Sequence, residues 1–125
     1  MVFDDTFTAL RAILQPHAKR LLVQMDKPGH YQLASRTMKD RVGRPLFVAA
    51  VQTKKNYVSF HLMPVYAAPE LLQSLSPALR KRMQGKSCFN FKTIDREQVK
   101  ELAHLTTTGL EEFEKVKLPW AKQAD

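Results

Sequence analysis

The chain contains a single cysteine, Cys88, among its 125 residues. One cysteine cannot form an intrachain disulfide or a cysteine-rich zinc site, and its scarcity is typical of a reducing compartment. No apolar run approaches the roughly 20 residues that a membrane helix needs. The first ten residues, MVFDDTFTAL, also carry two acids where a secretory signal has basic residues. We therefore expect a cytoplasmic protein with no membrane partner.

Acidic residues are also few, since 12 Asp and Glu stand against 20 Lys and Arg, for a formal charge of +8. Such a balance favours an anionic partner or nucleic acid, although it also serves solubility alone. The basic residues are spread along the sequence, which favours a solvated basic surface. Repeats and linkers are absent from the sequence, and its length suffices for one core. We expect a single domain over residues 1–125, with 117–125 as a terminal tail.

Glycine occurs only four times, yet Gly85-Lys86-Ser87 resembles the end of a nucleotide-binding phosphate loop. That loop needs another glycine five positions earlier, where this chain has Arg80, and it joins a strand to a following helix. Here a predicted helix precedes the segment and a predicted strand follows it. We therefore predict no phosphate loop, and Gly85 is expected to end a helix. Cys88 is expected to be an ordinary strand residue, because no sequence pattern ties a base to it.

The first half of the chain predicts one helix and two hairpins. Apolar residues recur at helical spacing from Phe3 to Leu14, and Pro16 should end or kink that helix. Alternating residues predict a hairpin within residues 20–35, although HAKRLLVQ (17–24) could also continue the helix. Apolar runs at 45–52 and 57–63 predict a second hairpin.

The second half predicts mostly helix. Pro69 and Ser76-Pro77 suit the starts of two short helices, and residues 87–92 predict a strand. A capping box at Asp95 and Gln98 opens a predicted helix over about residues 96–116. Together these elements predict an α+β fold, with an antiparallel sheet of about five strands and helices packed on one face. Trp120, in the tail, is expected to dock on the body.

The last predicted helix carries the most specific constellation of polar residues. Its inward stripe is formed by Val99, Leu102, Thr106, Leu110 and Phe113. The opposite stripe holds Glu97, Glu101 and His104. The i, i+3 spacing of Glu101 and His104 lets a carboxylate and an imidazole point at one cation. A solvated helix face is the simpler interpretation, and a metal site is the alternative.

Two further candidate sites lie between the hairpins and that helix. A basic patch suited to phosphate groups consists of Arg80, Lys81, Arg82 and Lys86. Tyr57 and His61 fall on one strand face and could line a pocket. The sequence shows no catalytic pair of carboxylates, serine triad or glycine-rich dinucleotide turn, so we expect a binding module that has no catalysis of its own.

Three stretches resemble the YdhG-like family, whose function is unknown. They are KKNYVSFHLMPVY (54–66), SPALRKRMQGKSCFNFK (76–92) and the helix that follows. The resemblance covers most of the chain, is strongest over residues 45–113, and implies a small α+β domain. A bacterial member is described as a frataxin-like iron chaperone, so the resemblance also suggests intracellular iron handling.

These observations leave three hypotheses open. The first is a module that binds or delivers iron through Glu101 and His104, with Glu97 in support. The second is an anion-binding or nucleic-acid-binding module that uses the basic patch. The third is an enzyme acting on a small molecule near Tyr57 and His61.

Overall fold

The computed structural model describes residues 3–85, 87–115 and 122–123. The helices are α1 (Asp4–Leu14), α2 (Met63–Ala67), α3 (Pro77–Arg80) and α4 (Arg96–Lys115), with 3-10 segments at Gln15–Arg20 and Pro69–Ser74. The strands are β1 (Leu21–Lys27), β2 (His30–Lys39), β3 (Pro45–Thr53), β4 (Val58–Leu62), β5 (Met83–Gln84), β6 (Cys88–Phe91) and β7 (Lys122–Gln123). All the pairings are antiparallel, in the order β1-β2-β3-β4-β6-β5, and β7 pairs with β2. The predicted α+β fold is confirmed, with more strands than the five expected.

One face of the sheet carries the core. A row of apolar side chains crosses five strands from Tyr31 through Val51, Phe60 and Phe89 to Met83. Leucines of α1 and α4, including Leu10, Leu14, Leu102 and Leu105, belong to the same buried cluster. Each large apolar side chain buried there contributes roughly 1.5–3 kcal/mol. The burial of one face explains why α1 and α4 lie on it, as the sequence predicts.

The opposite face of the sheet is polar. One row of paired residues runs His30, Gln52, Ser59, Asn90 across β2, β3, β4 and β6. The adjacent row runs Gln32, Ala50, His61, Cys88 across the same strands. Alternation along each strand therefore separates an apolar helix-covered face from a face of amides, imidazoles and one thiol.

The first hairpin and the helix caps form as predicted. Residues after Arg20 continue as β1 and β2, so the segment 20–35 is a hairpin and the helical alternative is wrong. The Asp95 carboxylate accepts the Gln98 N–H at 2.7 Å, while the Gln98 side chain accepts the Asp95 N–H at 3.2 Å. This reciprocal pair satisfies two N–H groups that the helix itself leaves open.

One local prediction is wrong. Gly85, expected to end a helix, lies in the turn between β5 and β6 with φ of 75°, a conformation that glycine adopts at little cost. Helix α3 has already ended at Arg80, after a single turn. The returning strand predicted over 57–63 is present as β4, and it ends at Leu62, because Pro64 has no N–H for a strand ladder and sits in the first turn of α2.

The C-terminal end of the chain contributes one described pairing, that of Lys122 and Gln123 with Lys39 and Met38. The expected docking of Trp120 lies outside the described residues. Within the described part of the chain, no helix combines the length and the apolar composition needed to cross a membrane.

Candidate functional site

A cavity of about 560 Å³ opens between the helical layer and one end of the sheet. Its origin is an irregularity in β2. Ala34 pairs with Phe47 and Lys39 pairs with Pro45, so residues 35–38 of β2 stand against Leu46 alone. The extra length bends β2 away from its neighbour, as bulges do. The Ser35 hydroxyl oxygen accepts the N–H groups of Thr37 at 3.1 Å and Met38 at 2.9 Å, which replaces part of the interrupted ladder.

Apolar and cationic side chains occupy different depths of this cavity. Its inner wall is buried and apolar, with Met38 from β2, Val48 from β3 and Phe113 from α4. The side chains of Lys19, Arg20, Arg36, Thr37, Thr107 and Glu111 are exposed and also line it. Among the described residues, the lining thus includes three permanent cations and one carboxylate, above an apolar floor.

Two basic groups of the lining have defined surroundings. The Arg36 Nε–H donates to the Leu21 carbonyl oxygen at 3.1 Å, which fixes the base of the guanidinium. Burial, and secondarily the charge of Arg20, lowers the pKa of His17 below its ordinary 6.5. His17 is therefore mainly neutral near pH 7, and an anion brought into the cavity would favour its protonated form.

The residues of the predicted metal stripe have separate surroundings. Both Glu101 carboxylate oxygens accept from Ser76, one from its N–H and one from its hydroxyl, each at 2.6 Å. Glu97 is exposed, with Lys100 Nζ at 3.9 Å from its carboxylate, and His104 is exposed. Among the described residues, no three His, Cys, Asp or Glu side chains are grouped so that they could hold one metal ion. Iron binding by this stripe stays a prediction.

The predicted basic patch lies where α3 leads into β5. Arg80, Lys81 and Arg82 are exposed, and the Arg80 guanidinium donates to the Leu72 carbonyl oxygen at 2.8 Å. Lys86 lies outside the described residues. None of Arg80, Lys81 and Arg82 lines the cavity at the other end of the sheet.

His61 belongs to the polar side of the sheet, Tyr57 lies just before β4, and neither lines the cavity. A second cavity formed by described residues lies elsewhere and is lined by Asp40, Arg41, Val42, Arg44, Met63 and Tyr66. His61 instead contacts the Phe47 ring edge-on, with centroids 6.3 Å apart, and its Nε2 lies 3.7 Å from Cys88 Sγ. The structure therefore places a base beside a cysteine for which the sequence indicated none.

The lining of the main cavity could not be found from the sequence. Arg36 is separated along the chain from Lys19 and Arg20, and only the β1–β2 pairing and the bend of residues 35–38 bring it to the same opening. The one local signal is the basic run HAKR (17–20), which stands just before a strand. No family model matches the chain, and no match was found among curated proteins or solved structures, so the resemblance to the YdhG-like family stays a prediction.

Proposed function

We propose that the protein binds a small amphiphilic anion, meaning a carboxylate, sulfonate or phosphate attached to an apolar group. The observation that carries this proposal is the layered cavity, with Val48, Met38 and Phe113 in its depth and exposed cations at its opening. An apolar group placed against that floor gains about 25 cal/mol for each Å² removed from water. The anionic head is then held where Lys19 and Arg20 are exposed.

Polar groups at the opening suit an oxyanion. Because the Nε–H of Arg36 is engaged by Leu21, the terminal N–H groups are left to face a ligand and can donate in pairs to one oxyanion. The hydroxyl of Thr37 supplies an uncharged donor beside it, whereas the Thr107 hydroxyl donates to the Ala103 carbonyl oxygen at 3.1 Å. Among the described lining residues, Glu111 adds one negative charge against three permanent positive ones, so these residues together are cationic.

The proposal follows the anion-binding hypothesis but moves it away from Arg80, Lys81 and Arg82. Those side chains are exposed, with no cavity of their own among the two described above. A site for single-stranded nucleic acid normally offers exposed aromatic rings for base stacking. Among the described residues that line the main cavity, the aromatic ring is Phe113, which is only 3% exposed, and this favours a small apolar group over a polymer.

A pair of matched probes tests the proposal. Anilinonaphthalene sulfonate is an amphiphilic anion, and N-phenyl-1-naphthylamine has nearly the same apolar body without the charge. We expect saturable fluorescence binding at one site, with the sulfonate bound more tightly. Arg20→Gln and Arg36→Gln should each lower the affinity for the sulfonate roughly two- to fivefold, as expected for an exposed ion pair. The affinity for the amine should stay unchanged.

Two controls locate the binding. Leu110→Gln, which places an amide in the half-buried wall of the cavity, should weaken both probes. Lys81→Gln/Arg82→Gln removes two charges outside the cavity. It should lower the affinity for either probe by no more than the reduced net charge of the protein explains. Equal affinity for both probes, or loss of sulfonate binding only in the Lys81/Arg82 variant, would contradict the proposal.

A further inference from the structure

A second cluster of reactive groups lies on the polar side of the sheet, away from the cavity. His61 of β4 and Cys88 of β6 are direct partners in the antiparallel register, and Ser59 and Asn90 are the neighbouring pair on that side. Cys88 Sγ lies 3.7 Å from His61 Nε2 and 3.3 Å from Asn90 Oδ1. A sulfur, an imidazole nitrogen and an amide oxygen thus converge on two adjacent strands.

The spacing of these donors is that of metal ligands. With metal–sulfur and metal–nitrogen bonds of roughly 2.3 and 2.1 Å and a tetrahedral angle, sulfur and nitrogen lie about 3.6 Å apart. The observed 3.7 Å between Sγ and Nε2 needs almost no adjustment. The Asn90 Oδ1, which also accepts the Ser59 hydroxyl at 3.0 Å, lies 3.3 Å from Cys88 Sγ and can supply a third bond.

We infer that Cys88, His61 and Asn90 form a binding site for one thiophilic metal ion of the Zn(II) or Cu(I) class. Thiolate and imidazole ligands select such ions over hard cations such as Mg(II), which prefer oxygen. On binding, the S–H bond of Cys88 breaks, its proton passes to solvent, and a sulfur–metal bond forms without any change of oxidation state. Water or a small ligand completes the coordination, because these side chains supply three donors.

Cobalt(II) and zinc(II) titrations test the inference on the whole chain. Co(II) bound by a thiolate gives a sulfur-to-metal charge-transfer absorption, which we expect to saturate at one ion per chain and to disappear when Zn(II) is added. Loss of a residue that only hydrogen-bonds to a metal ligand lowers metal affinity roughly 10- to 100-fold. Cys88→Ser and His61→Gln each remove a ligand itself, so each should lower the Zn(II) affinity by at least that factor. His104→Gln, which alters an exposed histidine of α4, is the matched control and should leave Zn(II) affinity unchanged.

An alkylation assay with the unaltered protein covers the case in which a substitution disturbs folding. Zn(II) should slow the reaction of Cys88 with iodoacetamide, and Mg(II) at the same concentration should not. The inference is overturned if Co(II) gives no charge-transfer band. It is equally overturned if Zn(II) leaves the alkylation rate unchanged, or if His104→Gln lowers the affinity as much as His61→Gln does.

Discussion

His17 and His61 each have a pKa that burial lowers, although they lie on opposite sides of the sheet. In the unfolded chain both imidazoles titrate near 6.5. At pH values between 6.5 and the lower pKa values of the folded state, the unfolded chain binds more protons than the folded one. The free energy of unfolding therefore falls as the pH drops below about 6.5, because its slope with pH follows the excess of protons bound by the unfolded state.

Urea unfolding at a series of pH values between about 5 and 8 measures this decline. We expect the double substitution His17→Gln/His61→Gln to flatten the decline below about pH 6.5, since it removes both imidazoles whose pKa is lowered. His104→Gln is the control, because that histidine is exposed on α4. An undiminished decline in the double variant would show that other groups cause it.

The contact between α4 and the start of α3 depends on one carboxylate. Glu101 accepts two 2.6 Å hydrogen bonds from Ser76, whose hydroxyl oxygen in turn accepts the Leu79 N–H at 3.2 Å. Glu101→Ala leaves both Ser76 donors without this acceptor at a partly buried place. We expect that change to lower the free energy of unfolding by roughly 1–3 kcal/mol.

A double-mutant cycle in urea isolates this interaction. Ser76→Ala and Glu101→Ala should be non-additive, with a coupling of roughly 0.5–3 kcal/mol, because the two residues share their hydrogen bonds. Glu97→Ala is the matched control one turn away. The Glu97 side chain is 85% exposed, and its carboxylate lies 3.9 Å from Lys100 Nζ, so this ion pair is weak. We therefore expect Glu97→Ala to change the free energy of unfolding by no more than about 0.5 kcal/mol. If the two glutamates behave alike, the link between α3 and α4 contributes little.

Signals confined to a few neighbouring residues predicted the elements well. The Asp95–Gln98 box and the Ser76 cap each act over three residues, so their sequence patterns contain the whole interaction. Strand alternation predicted which residues of 57–63 share a side. Local patterns could not predict that β4 pairs with β6 across an intervening helical segment. That pairing alone brings Cys88 to His61.

The bend in β2 could not be predicted for a related reason. Ser35, Arg36 and Thr37 continue an extended pattern, and only the shorter partner segment of β3 forces them out of the ladder. That bend opens the cavity. The sequence therefore does not predict the candidate site, although it predicts most of the helices and strands that surround it. Spacing along a single stretch of chain predicts the basic patch and the metal stripe, whereas the cavity forms where several elements converge.

The two proposed sites lie on opposite sides of one sheet. The cavity lies between the helical layer and the sheet, and the Cys88 cluster lies on the polar side. No residue of the cavity lining belongs to that cluster. Substitutions at Arg20 and at Cys88 should therefore be separable, each changing binding of its own ligand alone. This separation lets either proposal fail without the other.

The net charge of +8 acts over the whole surface rather than at one site. If dispersed charge attracts polyanions, any two exposed cations contribute equally, and each cation that no longer neutralises a phosphate reduces the salt slope by about 0.7 for a single strand. We expect Lys81→Gln/Arg82→Gln and the matched Arg41→Gln/Lys55→Gln, all at exposed positions, to weaken binding of a single-stranded oligonucleotide by the same factor. Fluorescence anisotropy at several salt concentrations measures both. Weakening confined to the Lys81/Arg82 variant would instead support the predicted basic patch as a specific nucleic-acid site.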